Sequence, residues 1–274
     1  MTPATAGYTR PIVLLAVLAA LGFVGGVLAG LLGIGGGIVM VPLLLYAPPL
    51  LGVPAPDIRQ VTGMTMVQVF GAALLGYLVH RRRRAAAPEV VLWMGGGMVL
   101  GTGTGALVSS AVSQPVLQAV FATLALMAAP LLFVRPPADE VGEGPARKFS
   151  PGLAFVAALF IGFGSGLVGV GGAFLLIPVM IYLLGIPTRA AVGSSLGVLT
   201  LAGFAGAVAK LSTGQVPLLW ATALCAGTLP GAWAGARVSH RVSARGLRLS
   251  LAVVVALTGL RMLLGLPAAW RGAR

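Results

Sequence analysis

The chain has 274 residues, of which 58% are apolar and 8% charged, with a mean hydropathy of +1.02. A water-soluble domain carries about 25% charged residues, so 18 basic and 5 acidic side chains cannot cover a water-facing surface of this size, and the solvent is a bilayer. The net charge of +13 would point to nucleic acid in a soluble protein; here it is first a topology signal, because Lys and Arg stay in cytoplasmic loops.

In chain order, residues 1–11 read as a short polar tail. The apolar run that follows passes residue 30, beyond the length of a signal-peptide core, so a retained helix is expected. Apolar stretches fall at 12–32, 38–51, 60–79, 90–111 and 116–134. The polar segment 135–151, with Asp139, Glu140 and Glu143, reads as a cytoplasmic linker between 12–134 and 152–266. The second unit has stretches at 152–168, 173–185, 190–209, 217–237 and 249–266, and 267–274 is a C-terminal tail. A crossing needs about 20 residues. The stretches 38–51 and 173–185 fall short, and each follows a glycine cluster.

The two units resemble each other. Gly30-Leu31-Leu32-Gly33-Ile34-Gly35-Gly36-Gly37 aligns with Gly166-Leu167-Val168-Gly169-Val170-Gly171-Gly172-Ala173 at an offset of 136, which also pairs Pro42 with Pro178 and Tyr46 with Tyr182. Farther on the offset falls to 130, pairing Gly63-Met64-Thr65 with Gly193-Ser194-Ser195 and Gly97, Gly101, Gly105 with Gly227, Gly231, Gly235. A colinear series of this kind marks an internal repeat. The bases sit on opposite loops of the two copies: His80-Arg81-Arg82-Arg83-Arg84 against a single base in Lys210–Pro217, and an uncharged Ala111–Pro115 against Arg237, Arg241, Arg245 and Arg248. The expected fold is therefore an all-α membrane protein of two inverted-topology repeats, about five apolar helical segments each, with short broken or re-entrant helices after the glycine clusters. This topology puts twelve of the eighteen bases in the cytoplasm and both termini, with Arg271 and Arg274, outside.

The glycine clusters are the leading candidate site. Non-helical backbone survives at membrane depth only where protein or a water-filled cavity satisfies it. The amides at the start of the next short helix then point into the break, and the helix dipole adds positive potential, which together bind an anion without a charged side chain. Gly33, Gly35, Gly36 and Gly37, with Gly169, Gly171 and Gly172, are assigned this role. For Gly97, Gly101, Gly105 and Gly227, Gly231, Gly235, the four-residue spacing favours close helix packing instead. Thr62, Thr65, Gln68, Ser194 and Ser195 are polar positions on the following segments. Their hydroxyls either donate to a bound anion or back-bond to a carbonyl one turn earlier. Arg261 lies inside an apolar run, and snorkelling to an interface is its favoured reading.

Several chemistries are excluded. The lone Cys225 leaves no internal disulfide and no CxxC pair, and two histidines make no metal site, so no metal or cofactor is expected. Ser165 lacks a GxSG setting because Phe163 stands before Gly164, and the histidines lie in loops, so catalysis is not expected. Gly164-x-Gly166-x-x-Gly169 has no preceding strand and is a chance match to a dinucleotide fingerprint. All five acids fall in loops or at segment ends. Without a buried carboxylate the usual mark of a cation or proton pathway is missing, which favours an anionic cargo.

The cluster Gly30–Gly37 with Val41-Pro42, its repeat ending Ile177-Pro178, and Ala191-Val192-Gly193-Ser194-Ser195-Leu196 closely resemble the TauE/SafE sulfite exporter family, also called the toluene-sulfonate uptake permease family, over about residues 12–266. The resemblance implies a multi-pass permease of the bacterial inner membrane that carries sulfite, thiosulfate, sulfonates or related organic anions. Family members are described with about eight spans against the ten apolar segments counted here, and Met64 stands where the second repeat has Ser194. The expected function is secondary transport by alternating access. The partners are a small anion and lipid, with a proton as candidate coupling ion, no nucleic acid, and a homo-oligomer allowed. The rivals are an anion channel and a non-transporting membrane assembly factor or sensor.

Overall fold

A computed structural model describes residues 3–32, 36–81, 87–133, 150–238, 253 and 255–264, and these form helices and short turns with no strand among them. The helices are α1 (Pro3–Leu32), α2 (Gly37–Leu50), α3 (Ile58–Arg81), α4 (Pro88–Val108), α5 (Gln114–Phe133), α6 (Pro151–Val168), α7 (Ala173–Pro178), α8 (Thr188–Ser212), α9 (Leu218–Val238) and α10 (Val255–Leu264). Among the described residues five stretches are long and apolar enough to cross a membrane: Ile12–Leu31, Ile58–Leu78, Pro88–Val108, Pro151–Val168 and Ala190–Ser212. The chain is an all-α, multi-pass membrane protein. Its outer faces carry large apolar side chains such as Phe160 and Leu92, which suit lipid rather than water.

Local chemistry sets the helix starts. Asp57 and Gln60 form a reciprocal cap on α3: the Gln60 N–H donates to Asp57 Oδ1 at 2.8 Å, and the Asp57 N–H donates to Gln60 Oε1 at 3.1 Å. Pro88 and Pro151 open α4 and α6, where a missing N–H costs nothing. Pro178 ends the regular part of α7, which widens into a π turn over Val179–Leu183, with the Leu184 N–H reaching back to Val179 O.

Two close-packed helix pairs form the frame, α1 with α9 and α4 with α6. Gly97, Gly101 and Gly105 lie against the carbonyls of Phe155, Leu159 and Phe163, so α4 and α6 run parallel with backbones touching. Gly227, Gly231 and Gly235 lie in the same way against the carbonyls of Ala19, Phe23 and Val27. The sequence offsets of 130 and 136 convert the first set of contacts into the second, so each interface pairs one helix from each half. The packing role expected for these six glycines is what the backbone contacts display.

Both short helices fold back on the helix before them. Gly25 of α1 faces the Met40 sulfur of α2, and Gly36 faces Ala29. Gly172 faces Ile161 and Ser165 of α6. Gly36 and the segment Gly169–Gly172 thus lie where the chain turns back on itself.

Some boundaries differ from expectation. The α1 helix begins at Pro3 rather than near Ile12. The α8 helix continues through Ser212, so Lys210, expected in a loop, occupies the last helical turn and is buried. The cationic end of a lysine does not stop a helix whose neighbours Val208, Ala209 and Leu211 are apolar and helix-compatible. Gly33 and Gly35, the loop residues Arg82–Arg84, the linker 135–149, and Arg241, Arg245, Arg248, Arg271 and Arg274 lie outside the described residues.

Candidate functional site

The second glycine break is the better defined. Gly169 caps α6 in the left-handed conformation (φ 71°) and its N–H donates to Ser165 O at 2.8 Å. Gly171 and Gly172 follow at φ 74° and 73°, a conformation that side-chain-bearing residues rarely adopt. The helix then restarts. Leu175 and Leu176 both donate to Gly172 O, whereas the N–H groups of Ala173 and Phe174 belong to a first turn that has no acceptor within the helix. Gly36 plays the same part in the first break, at φ 69°, accepting from Val39 and Met40.

The two breaks meet. Gly37, the first residue of α2, lies directly against the backbone of Val170. Gly169 lies against the backbone of Thr62, and Gly171 against the side chain of Val69. The stretch of α3 from Thr62 to Val69 therefore lines the second break, and it carries Thr65 and Gln68 as well. Gln68 is 1% exposed, and neither Nε2 nor Oε1 has a hydrogen-bond partner. Buried amides are almost always paired, which sets Gln68 apart from Thr62 and Thr65 on the same helix.

The hydroxyls are more occupied. Thr62 donates to Arg59 O at 2.9 Å, Thr65 to Val61 O at 2.9 Å and Ser195 to Val192 O at 2.9 Å, each about one turn back. Ser194 Oγ accepts the Ala87 N–H at 2.9 Å and so ties α8 to the start of α4. Their oxygens keep lone pairs, but most of the hydroxyl hydrogens at these positions are committed to carbonyls.

Four polar residues beside this region escaped sequence reasoning. Lys210 is fully buried, and its Nζ donates to Ser109 Oγ at 2.6 Å, Gln215 Oε1 at 2.9 Å, Thr62 Oγ1 at 3.1 Å and Leu167 O at 3.3 Å. Arg59 donates through Nη2 to Val112 O at 2.8 Å, while its Nε is buried without a partner. Thr102 of α4 is fully buried with its hydroxyl unpartnered. Gln215 is held by donation from Nε2 to Thr213 Oγ1 at 2.7 Å and Ala106 O at 3.3 Å. A usable signal existed for Lys210: it is a lone base flanked on both sides by apolar residues of the 190–212 run. Arg261 and Arg237 behave more simply, stacking over the rings of Tyr46 at 4.8 Å and Trp233 at 3.8 Å.

Among the described residues no group of His, Cys, Asp and Glu could hold a metal ion. The sequence matches the family described as Sulfite exporter TauE/SafE over residues 18–262. The chain belongs to the TauE/SafE family. Relatives include the probable membrane transporter protein YunE of Bacillus subtilis, 24% identical over 269 residues covering 90% of this chain and 96% of that one. A probable membrane transporter protein of Methanocaldococcus jannaschii is 24% identical, covering 92% of this chain and 97% of its own. Another from Xylella fastidiosa is 30% identical, covering 80% and 82%. No solved structure matches the chain. Membership in the TauE/SafE family and the names of these relatives make the chain a membrane transporter, and its glycine hairpins lie within the matched residues.

Proposed function

We propose that the protein is a secondary transporter of small anions, with sulfite, thiosulfate and sulfonates as the substrate class, working by alternating access in a bacterial inner membrane. The observation that carries this reading is the meeting of the two glycine breaks beside a buried, unpartnered Gln68. Gly36, Gly37, Gly169, Gly171 and Gly172 supply the breaks, and the first-turn amides of α2 and α7 face the anion. Gln68 Nε2 adds a side-chain donor, while Thr62, Thr65, Ser194 and Ser195 shape the polar wall. The two described acids, Asp57 and Glu89, are exposed, which fits a cargo that brings its own negative charge.

The repeats are inverted in this reading. The α4 and α6 helices run parallel, yet α4 follows α1 after a hairpin tip and two further turns, so α1 and α6 point in opposite directions. Rocking of the two halves about their shared glycine interfaces would expose the breaks to either side. A proton is the candidate coupling ion.

Purified protein in proteoliposomes tests this. Saturable uptake of sulfite, thiosulfate or methanesulfonate, with acetate as a carboxylate comparison, is expected. Flux rising linearly without saturation would make the protein a channel, and no flux of any of these anions would overturn the transport reading of the site.

A further inference from the structure

The Lys210 pocket is built for a charged ammonium, and it contains no counter-charge. The hydrogens of its neighbours are used elsewhere. Thr62 donates to Arg59 O, Ser109 donates to Ala106 O at 2.6 Å, and the Gln215 amide nitrogen is turned toward Ala106 O and Thr213 Oγ1. Each side chain therefore presents an oxygen lone pair to Nζ, and the Leu167 carbonyl adds a fourth. An ammonium has three hydrogens for these four oxygens, so its hydrogen bonds are met while its charge is not. Among the described residues no carboxylate pairs with it, and a second cation, Arg59, is close enough to repel it. Burying one unpaired cation is costly, and setting another beside it compounds the cost.

The position of the pair gives that cost a use. Lys210 grips Leu167, two residues before the Gly169 break, and Thr62, whose backbone packs on Gly169. We infer that Lys210, assisted by Arg59, is the fixed counter-charge for the transported anion, a cationic subsite at the second glycine break that selects charged cargo over neutral molecules of the same shape. An arriving anion would replace the long bond to Leu167 O first, and Arg59 Nε, buried and unpartnered, gives it a second donor. The inference rests on the anion-transport reading above.

The test uses the full-length protein in proteoliposomes, with sulfite flux as the signal and methanesulfonate or its neutral isostere methanesulfonamide as competitor. The wild type should be inhibited by the anion and not by the neutral compound. Lys210→Gln should raise the KM for sulfite by about tenfold or more and narrow the preference between the two competitors, and Lys210→Arg should restore most of both. A folded Lys210→Gln protein, judged by an unchanged gel-filtration profile, with wild-type KM and preference would overturn the inference and leave the transport reading standing. If Lys210→Gln does not fold, Arg59→Gln decides: a several-fold higher KM supports the subsite, and an unchanged KM overturns it. If the wild type moves none of the anions, both readings fall together.

Discussion

Gln68 is the residue whose chemistry is least explained by packing. A buried amide with neither end paired lowers stability by roughly 1–3 kcal/mol relative to an apolar residue of the same shape. Gln68→Leu should therefore melt at the same or a higher temperature in detergent while its uptake of sulfite falls at least tenfold. A variant that is destabilised yet transports normally would assign Gln68 to structure. The polar character of this position was legible, because Gln interrupts an apolar run. Lys210 had only its apolar flanks as a signal, and a lysine at the edge of a hydropathy window looks equally like the window's end. Only the Ser109, Gln215 and Thr62 oxygens, brought from three other places in the chain, show that it is enclosed. Ser109 and Gln215 themselves sit in turns between helices, where polar residues carry no signal.

At the scale of helices, glycine has two separate jobs that spacing alone only partly separated. On α4, Gly101 lies against the Leu159 carbonyl of α6, whereas Gly103, two residues on, meets nothing within 4 Å. Gly101→Ala should force the helices apart and lower the melting temperature, while Gly103→Ala should stabilise by up to about 1 kcal/mol through helix propensity. Opposite signs from neighbouring glycines on one helix are the expected result of thermal denaturation. In the second hairpin tip, Gly171 faces Val69 and also holds φ 74°. Val69→Ala makes room for a methyl group but leaves the backbone conformation unchanged. The double variant Gly171→Ala/Val69→Ala should thus stay about 1–2 kcal/mol less stable than Val69→Ala alone. Equal stability would mean that space, and not φ, requires the glycine. The repeat of glycine spacings was readable from the sequence, but the fact that Gly37 and Val170 touch depends on how two hairpins approach one another, which no local pattern encodes.

For the whole molecule, the contacts sort the helix ends into two groups. The turn after α4 and the turn after α8 share one end, because Ser109 and Gln215 both hold Lys210. The start of α4 belongs to the other end, tied to the first turns of α8 by the bond from Ala87 to Ser194. The start of α6 joins it, because α6 runs parallel to α4. The α9 helix leaves the Gln215 end and reaches Arg237 at the opposite one, which is also the end that holds Ala87 and Ser150. If the arginine-rich loops of the sequence, Arg81–Arg84 and Arg237–Arg248, obey the positive-inside rule, that end is the cytoplasmic one. Single cysteines placed at Ser110, Gly214 and Ser150 in a Cys225→Ala background turn this into a measurement. Membrane-impermeant maleimide added to whole cells should label Ser110→Cys and Gly214→Cys, and Ser150→Cys only after the membrane is opened. Labelling of Ser110→Cys and Gly214→Cys from opposite sides would break the link between the repeats at its base, since inversion requires that the loop after the fourth segment of the first half and the loop after the third segment of the second half face the same side. The same pattern with all three positions reversed would keep the inverted architecture and instead show that the arginine-rich loops fail to set its orientation.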